Sequence, residues 1–218
     1  MARIKDPKLE QRRREQIIST TRELLTQGSF ASVTLAAVAE SAGVSKGLLT
    51  YYFGSKDQLI VETIRAYHAE QAALLLGLVA LPMPPMAKLK LLVDAAIPSQ
   101  LSVQEELKFQ VEVWSFAKTQ PDAIEAVKES YRAFREACEA LLDQGIADGT
   151  IEVENKRFTY RVLHAVMDGL SFQLAVEPNI DMAALRSDTL DLFQQLLCIP
   201  DVSTTPVSLN RNVSAEMD

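Results

Sequence analysis

The stretch TLAAVAESAGVSKGLLTYYF, residues 34–53, decides how this chain is read. A hydroxyl residue precedes each of two short runs with helical spacing. Thr34 stands before Leu35, Val38 and Ala39, and Ser45 stands before Leu49 and Phe53. Serine and threonine cap helices at such positions by accepting a backbone N–H that has no partner in the first turn. Between the runs, Ala42-Gly43-Val44 reads as a turn, with Gly43 free to take the positive φ of a sharp helix end. Two short helices joined in this way predict a helix-turn-helix. Leu35, Val38, Ala39, Val44, Leu49 and Phe53 close its small core. Lys46, Gly47, Leu48, Thr50 and Tyr51 are left facing outward on the second helix, a shape that fits the major groove of double-stranded DNA.

The flanking residues suit a phosphate backbone. Helix starts at Thr34 and Ser45 present N–H groups that favour phosphate. Tyr52 carries a hydroxyl donor. Lys56 opens the next helix, and Arg12, Arg13 and Arg14 lie early in the first. Cations are mildly unfavourable at a helix N-terminus unless an anion lies alongside. Of these arginines, Arg14 is expected at the DNA.

Charge is divided along the chain in the same sense. The whole chain carries −7, yet residues 1–56 hold nine Lys/Arg against five Asp/Glu, and residues 57–218 hold thirteen against twenty-four. A basic head on an acidic body directs the head toward a polyanion. No apolar stretch reaches the 18 residues of a membrane span, and the N-terminus lacks the apolar region of a secretory signal. The two cysteines, Cys138 and Cys198, show no metal-ligand spacing, and a reduced cytoplasmic protein is expected. No cofactor is expected. A phosphate loop, nucleotide fingerprint, nucleophile elbow and zinc motif are all missing, which disfavours an enzyme. An interaction adaptor would explain long helices but not the basic head.

Working outward, apolar residues recur at three and four positions almost everywhere, which predicts an all-α fold. The first helix is expected over 8–27, a short one to about Ser41, a second short one to about Tyr52, and a long fourth over 56–80. Leu81-Pro82-Met83-Pro84-Pro85 breaks the chain within the body. Further helices are expected over 86–97, 103–118, 122–148, 156–176 and 182–197, with Gly145 and Gly149 marking a frayed end. The resulting organisation is a head over 1–56, a helical body over 57–200 and a disordered tail over 201–218.

Residues 10–70 resemble the N-terminal domain of the TetR family of bacterial repressors. The resemblance is carried by Phe30, Thr34, Leu35, Val38, Ala39, Ala42-Gly43-Val44-Ser45-Lys46-Gly47, Leu49, Tyr52-Phe53, Ser55-Lys56 and Leu59. Leu48 and Thr50 depart from the commonest family pattern, which implies altered base readout. The body is similar to the BetI-like subgroup through Trp114, Phe116, Pro121, Tyr131, Leu141-Leu142, Gly145, Gly149 and Asp168-Gly169-Leu170. The resemblance implies a three-helix head, a connecting fourth helix, and repression relieved by a small-molecule effector.

A body of that kind is expected to hold an effector pocket walled by Phe109, Trp114, Phe116, Tyr131, Phe134 and Cys138. Glu112 beside these aromatics would suit a cationic, choline-like ligand. The last two helices carry more apolar surface than one subunit needs. Phe158, Val162, Val166, Gly169, Leu185, Leu192, Phe193 and Leu196 are expected to pair with a second copy as a four-helix bundle. A homodimer would then read near-palindromic operator DNA. His164 and Asp168 lie four apart on one face, a spacing that reads as a hydrogen-bonded pair rather than half a metal site.

Overall fold

A computed structural model describes residues 6–97, 100–177 and 179–197. Cys198 and the expected tail over 201–218 lie outside the described residues. Nine helices and no strands occur among those described: α1 (Pro7–Gln27), α2 (Leu35–Ser41), α3 (Lys46–Phe53), α4 (Lys56–Val79), α5 (Pro85–Ala96), α6 (Gln100–Ala117), α7 (Pro121–Asp148), α8 (Lys156–Val176) and α9 (Met182–Leu197). None is long and apolar enough to cross a membrane.

Local chemistry sets most of the boundaries. The Asp6 carboxylate accepts from the N–H groups of Lys8 and Leu9 and starts α1. Thr34, Ser45, Ser55 and Asn155 do the same for α2, α3, α4 and α8. Pro121 opens α7, where its missing N–H costs nothing. Gly149 closes α7 with φ +77°, a left-handed cap that glycine adopts without strain. Gly145 corrects the expectation of a frayed end. It is buried inside the last turns of α7, and a Cβ there would sit 2.3 Å from the Ile151 side chain. The glycine lets the chain fold back closely, with the Ile151 N–H donating to the Gly145 carbonyl at 3.0 Å.

Packing does not stop at the expected edge of the head. One continuous core runs from Ile17, Leu25, Val38, Leu49 and Phe53, through Leu59, Ile60 and Ile64 of α4, to Phe109, Val113, Ala123 and Val127 of α6 and α7. A second cluster under α5, α8 and α9 contains Leu89, Val93, Leu142, Leu163, Leu174, Phe193 and Leu197. A third, with Leu75, Val79, Ala137 and Leu141, joins α4 to α7. Where α4 ends, buried Lys88 donates to the Val79 carbonyl at 2.7 Å and to Gln144 at 2.5 Å. A cation at the carbonyl end of a helix is well placed, and this one ties α4, α5 and α7 together.

Helix α6 departs from expectation. It is apolar on two sides, Leu107-Val111-Trp114 and Phe109-Val113-Phe116, a pattern that predicts burial of both. Phe109, Val113 and Ala117 are buried, whereas Val111 and Trp114 on the other stripe are exposed.

Candidate nucleic-acid interface

The head is fastened from inside, and this leaves one face of α3 outward. Val38, Ala39, Leu49 and Phe53 are buried, with Leu35 and Val44 packed against them. Gly43 takes φ +64° at the turn. Gln16 of α1 donates from Nε2 to the Ala42 carbonyl at 3.0 Å, holding the turn to the first helix. On the outward side, Ser45, Lys46, Gly47, Thr50 and Tyr51 are exposed and Leu48 is half-buried. Tyr51 is 60% exposed, its ring 5.3 Å from that of Tyr52. Lys46 makes no ion pair among the described residues. A Cβ at Gly47 would meet only the Ser45 hydroxyl, 3.9 Å away, so the first turn of α3 presents bare backbone.

The Thr34 and Ser45 oxygens accept from Ala37 N and Leu48 N at 3.1 and 3.2 Å. Both residues are exposed at helix starts, which is where a phosphate would lie. Tyr52 is half-buried against the head core. Lys56 bends back, donating from Nζ to the Ala31 carbonyl at 3.2 Å, a single neutral contact.

Arg14 corrects the sequence reading. Its Nη1 donates to the Tyr52 carbonyl at 2.8 Å, its guanidinium lies 4.7 Å over the Phe53 ring, and Glu62 approaches at 3.6 Å. The side chain is spent on holding α1, α3 and α4 together. Arg12, two residues earlier and so on nearly the opposite face of α1, is exposed and makes no ion pair among the described residues.

The expected effector wall is divided between two places. Phe109 and Phe116 belong to the core beneath the head, with their ring centroids 5.8 and 5.9 Å from that of Phe30. Glu112 accepts the Phe30 N–H at 2.8 Å, so the carboxylate expected to meet a cation instead ties α6 to the end of α1. Trp114, Tyr131, Phe134 and Cys138 lie elsewhere. Trp114 packs edge-on to Tyr131 at 6.1 Å, and Tyr131 packs on His164 at 4.8 Å. Phe134 and Tyr160 complete this ring group. Burial, with nearby Glu139, pushes the Cys138 thiol up to about 11. His164 Nδ1 lies 3.3 Å from Asp168, and burial, with nearby Asp168, pushes the Tyr131 phenol up. Among the described residues no three His, Cys, Asp or Glu side chains converge as metal ligands.

A second polar group went unread in the sequence. The Tyr67 hydroxyl donates to Glu106 of α6, and Gln110 Nε2 donates to the same carboxylate at 2.9 Å. Burial pushes the Tyr67 phenol well above its ordinary range. His68 beside it is buried, its Nδ1 without a partner among the described residues, and burial lowers its pKa to about 4.

The expected dimer residues divide as well. Phe158 is 63% exposed and Phe172, missed in the sequence, is 54% exposed; Val162 and Gly169 lie between them on α8. A Cβ at Gly169 would point into open space. Leu192 and Leu196 of α9 are exposed. Phe193, at 4% exposure, is a correction: it fills its own subunit's core, against which Leu185 and Val166 also pack.

Comparison with known proteins gives these features a setting. Residues 17–63 match the family profile of bacterial regulatory proteins, tetR family, and residues 85–197 match that of the BetI-type transcriptional repressor, C-terminal. The HTH-type transcriptional regulator HbdR of Aromatoleum sp. (strain CIB) is 39% identical over 62 residues, 28% of this chain and only 27% of that protein's length. The HTH-type transcriptional regulator BetI of Burkholderia mallei (strain NCTC 10229) is 30% identical over 196 residues, 88% of this chain and 97% of the relative. A putative transcriptional regulator from Saccharomonospora viridis, solved in complex with choline, superposes with a TM-score of 0.74 at 18% identity, covering 85% of this chain and 97% of that one. That last likeness is one of fold. With its head and most of its body matched by the two halves of one family, the chain belongs to the TetR family of DNA-binding transcriptional regulators, with a BetI-type C-terminal domain.

Proposed function

We infer that this regulator is a repressor that grips near-palindromic operator DNA as a homodimer and is released by a small-molecule effector bound in the body. The observation that carries this reading is the outward face of α3, where Lys46, Thr50 and Tyr51 stand exposed beside the capped helix start at Ser45. Two such helices, one from each subunit and about 34–36 Å apart, would enter successive major grooves on one side of the duplex. An effector that favours a different separation by about 1–3 kcal/mol lowers operator affinity roughly 5- to 150-fold.

The homodimer is supported by the Phe158–Phe172 stripe on α8 and by Leu192 and Leu196 on α9. A choline-like effector keeps one support, the choline complex of the Saccharomonospora viridis regulator. It loses another, because Glu112 is occupied by the Phe30 N–H.

The test is a gel shift with the DNA upstream of the protein's own gene. Binding should be specific. With about four phosphate contacts per subunit, log K should fall against log salt with a slope of roughly −7. A slope near zero, or equal affinity for unrelated DNA, would overturn the reading.

A further inference from the structure

Two cavities of about 360 and 380 Å³ adjoin on the flank of the body, sharing Tyr131 and Arg135. The first lies against the end of α6 and the start of α7, with Trp114 as its wall and Lys128 and Arg132 on its rim. The second lies between α7 and α8, over Tyr160 and His164, with Arg157 and Arg161 on its rim. Both are lined by aromatic rings and by cations, the first also by Ile124 and Val127.

The charge is concentrated against the trend of the body. Residues 57–218 carry nearly twice as many acids as bases, yet five of their thirteen Lys/Arg line this one groove. Lys128 is paired with Glu125, and Arg135 lies 3.7 Å from Glu139. Arg132, Arg157 and Arg161 make no ion pair among the described residues. The single lining carboxylate, Asp168, is already engaged by His164. A quaternary ammonium placed on these rings would meet several like charges and one occupied carboxylate. A carboxylate attached to an aromatic ring would meet guanidinium forks suited to it and ring edges suited to its ring.

We propose that this groove is the effector site and that it takes an aromatic carboxylate, an organic anion rather than a cation. The anion rests on Arg157 and Arg161, and its ring packs among Tyr131, Tyr160 and Trp114. The proposal builds on the effector-released repressor inferred above, but it is read without DNA.

Trp114 is the chain's one tryptophan and lines the adjoining cavity, edge-on to the shared Tyr131, so its emission reports occupancy of the groove. The full-length protein is titrated with benzoate and with choline. Benzoate should change the emission saturably and choline should not. Arg157→Gln and Arg161→Gln should each weaken benzoate about tenfold, while Lys90→Gln, on α5 away from the groove, leaves it unchanged. Calorimetric titration of the same variants, with unfolding curves, separates lost binding from lost folding. Saturation by choline, or benzoate binding indifferent to both arginine variants, would overturn the proposal. Benzoate binding that leaves operator affinity unchanged would instead defeat effector release while the anion site stands.

Discussion

Arg14 of α1 donates a 2.8 Å hydrogen bond to the main-chain carbonyl of Tyr52, in the last turn of α3. Carbonyls at a helix end have no intrahelical donor, and a cation there also meets the favourable end of the helix dipole. Helix α3 is therefore held at its far end by a residue that the sequence alone assigned to DNA. Arg14→Ala should lower unfolding stability by about 1–3 kcal/mol, read by urea titration. If the midpoint is unmoved while the salt slope of DNA binding shrinks, Arg14 is a phosphate contact after all.

Lys46 and Tyr51 should behave oppositely. Neither belongs to the buried core, so Lys46→Ala and Tyr51→Ala should leave the melting temperature nearly unchanged. Each should cost about 1–3 kcal/mol of operator binding where it reaches a base edge. Gel shifts and thermal melts on the same preparations decide this, and normal DNA affinity in both variants would mean that another face is used.

His68 should make the protein acid-sensitive. Burial lowers its folded pKa to about 4, below the ordinary 6.5. The unfolded chain then binds the proton first as pH falls, so stability is lost from about pH 6.5 down to about pH 4. The full loss is about 3 kcal/mol at the low end. His68→Gln should flatten that part of a stability profile measured by urea unfolding. A wild-type profile already flat there would rule the effect out.

Phe172 and Phe193 separate assembly from folding. Phe172→Glu, in the exposed α8 stripe, should yield folded monomers in sedimentation. Phe193→Ala should cost about 3–5 kcal/mol of stability through the cavity it leaves. Monomeric wild-type protein at micromolar concentration would remove the basis of the first expectation.

Much of the architecture was legible because it is local. The caps at Thr34 and Ser45, the turn at Gly43 and the bounds of α8 and α9 follow from residues a few positions apart. Apart from Gly145, whose partner Ile151 is six residues on, the misreadings are long-range. Nothing near Arg14 or Glu112 in sequence announces Tyr52 or Phe30, and a charged side chain reads the same whether its partner is a distant carbonyl or a ligand. Phe193 and Leu192 are neighbours on one helix, and only packing of α9 on α5 decides which turns inward. The arginine groove was partly readable: Lys128, Arg132 and Arg135 fall on one face of α7, and Arg157, Tyr160 and Arg161 cluster on α8. What periodicity does not supply is that those two faces meet.

The unbroken core from Ile17 to Val127 bears on how such regulators can be recombined. A reading head cut at residue 56 would expose Leu49, Phe53 and Phe30 to water, stripped of the α4, α6 and α7 surfaces that cover them. Grafting a foreign operator preference onto this body is better done by exchanging the outer side chains of α3 than by transplanting the whole module. A transplant would have to carry matching faces of three body helices with it.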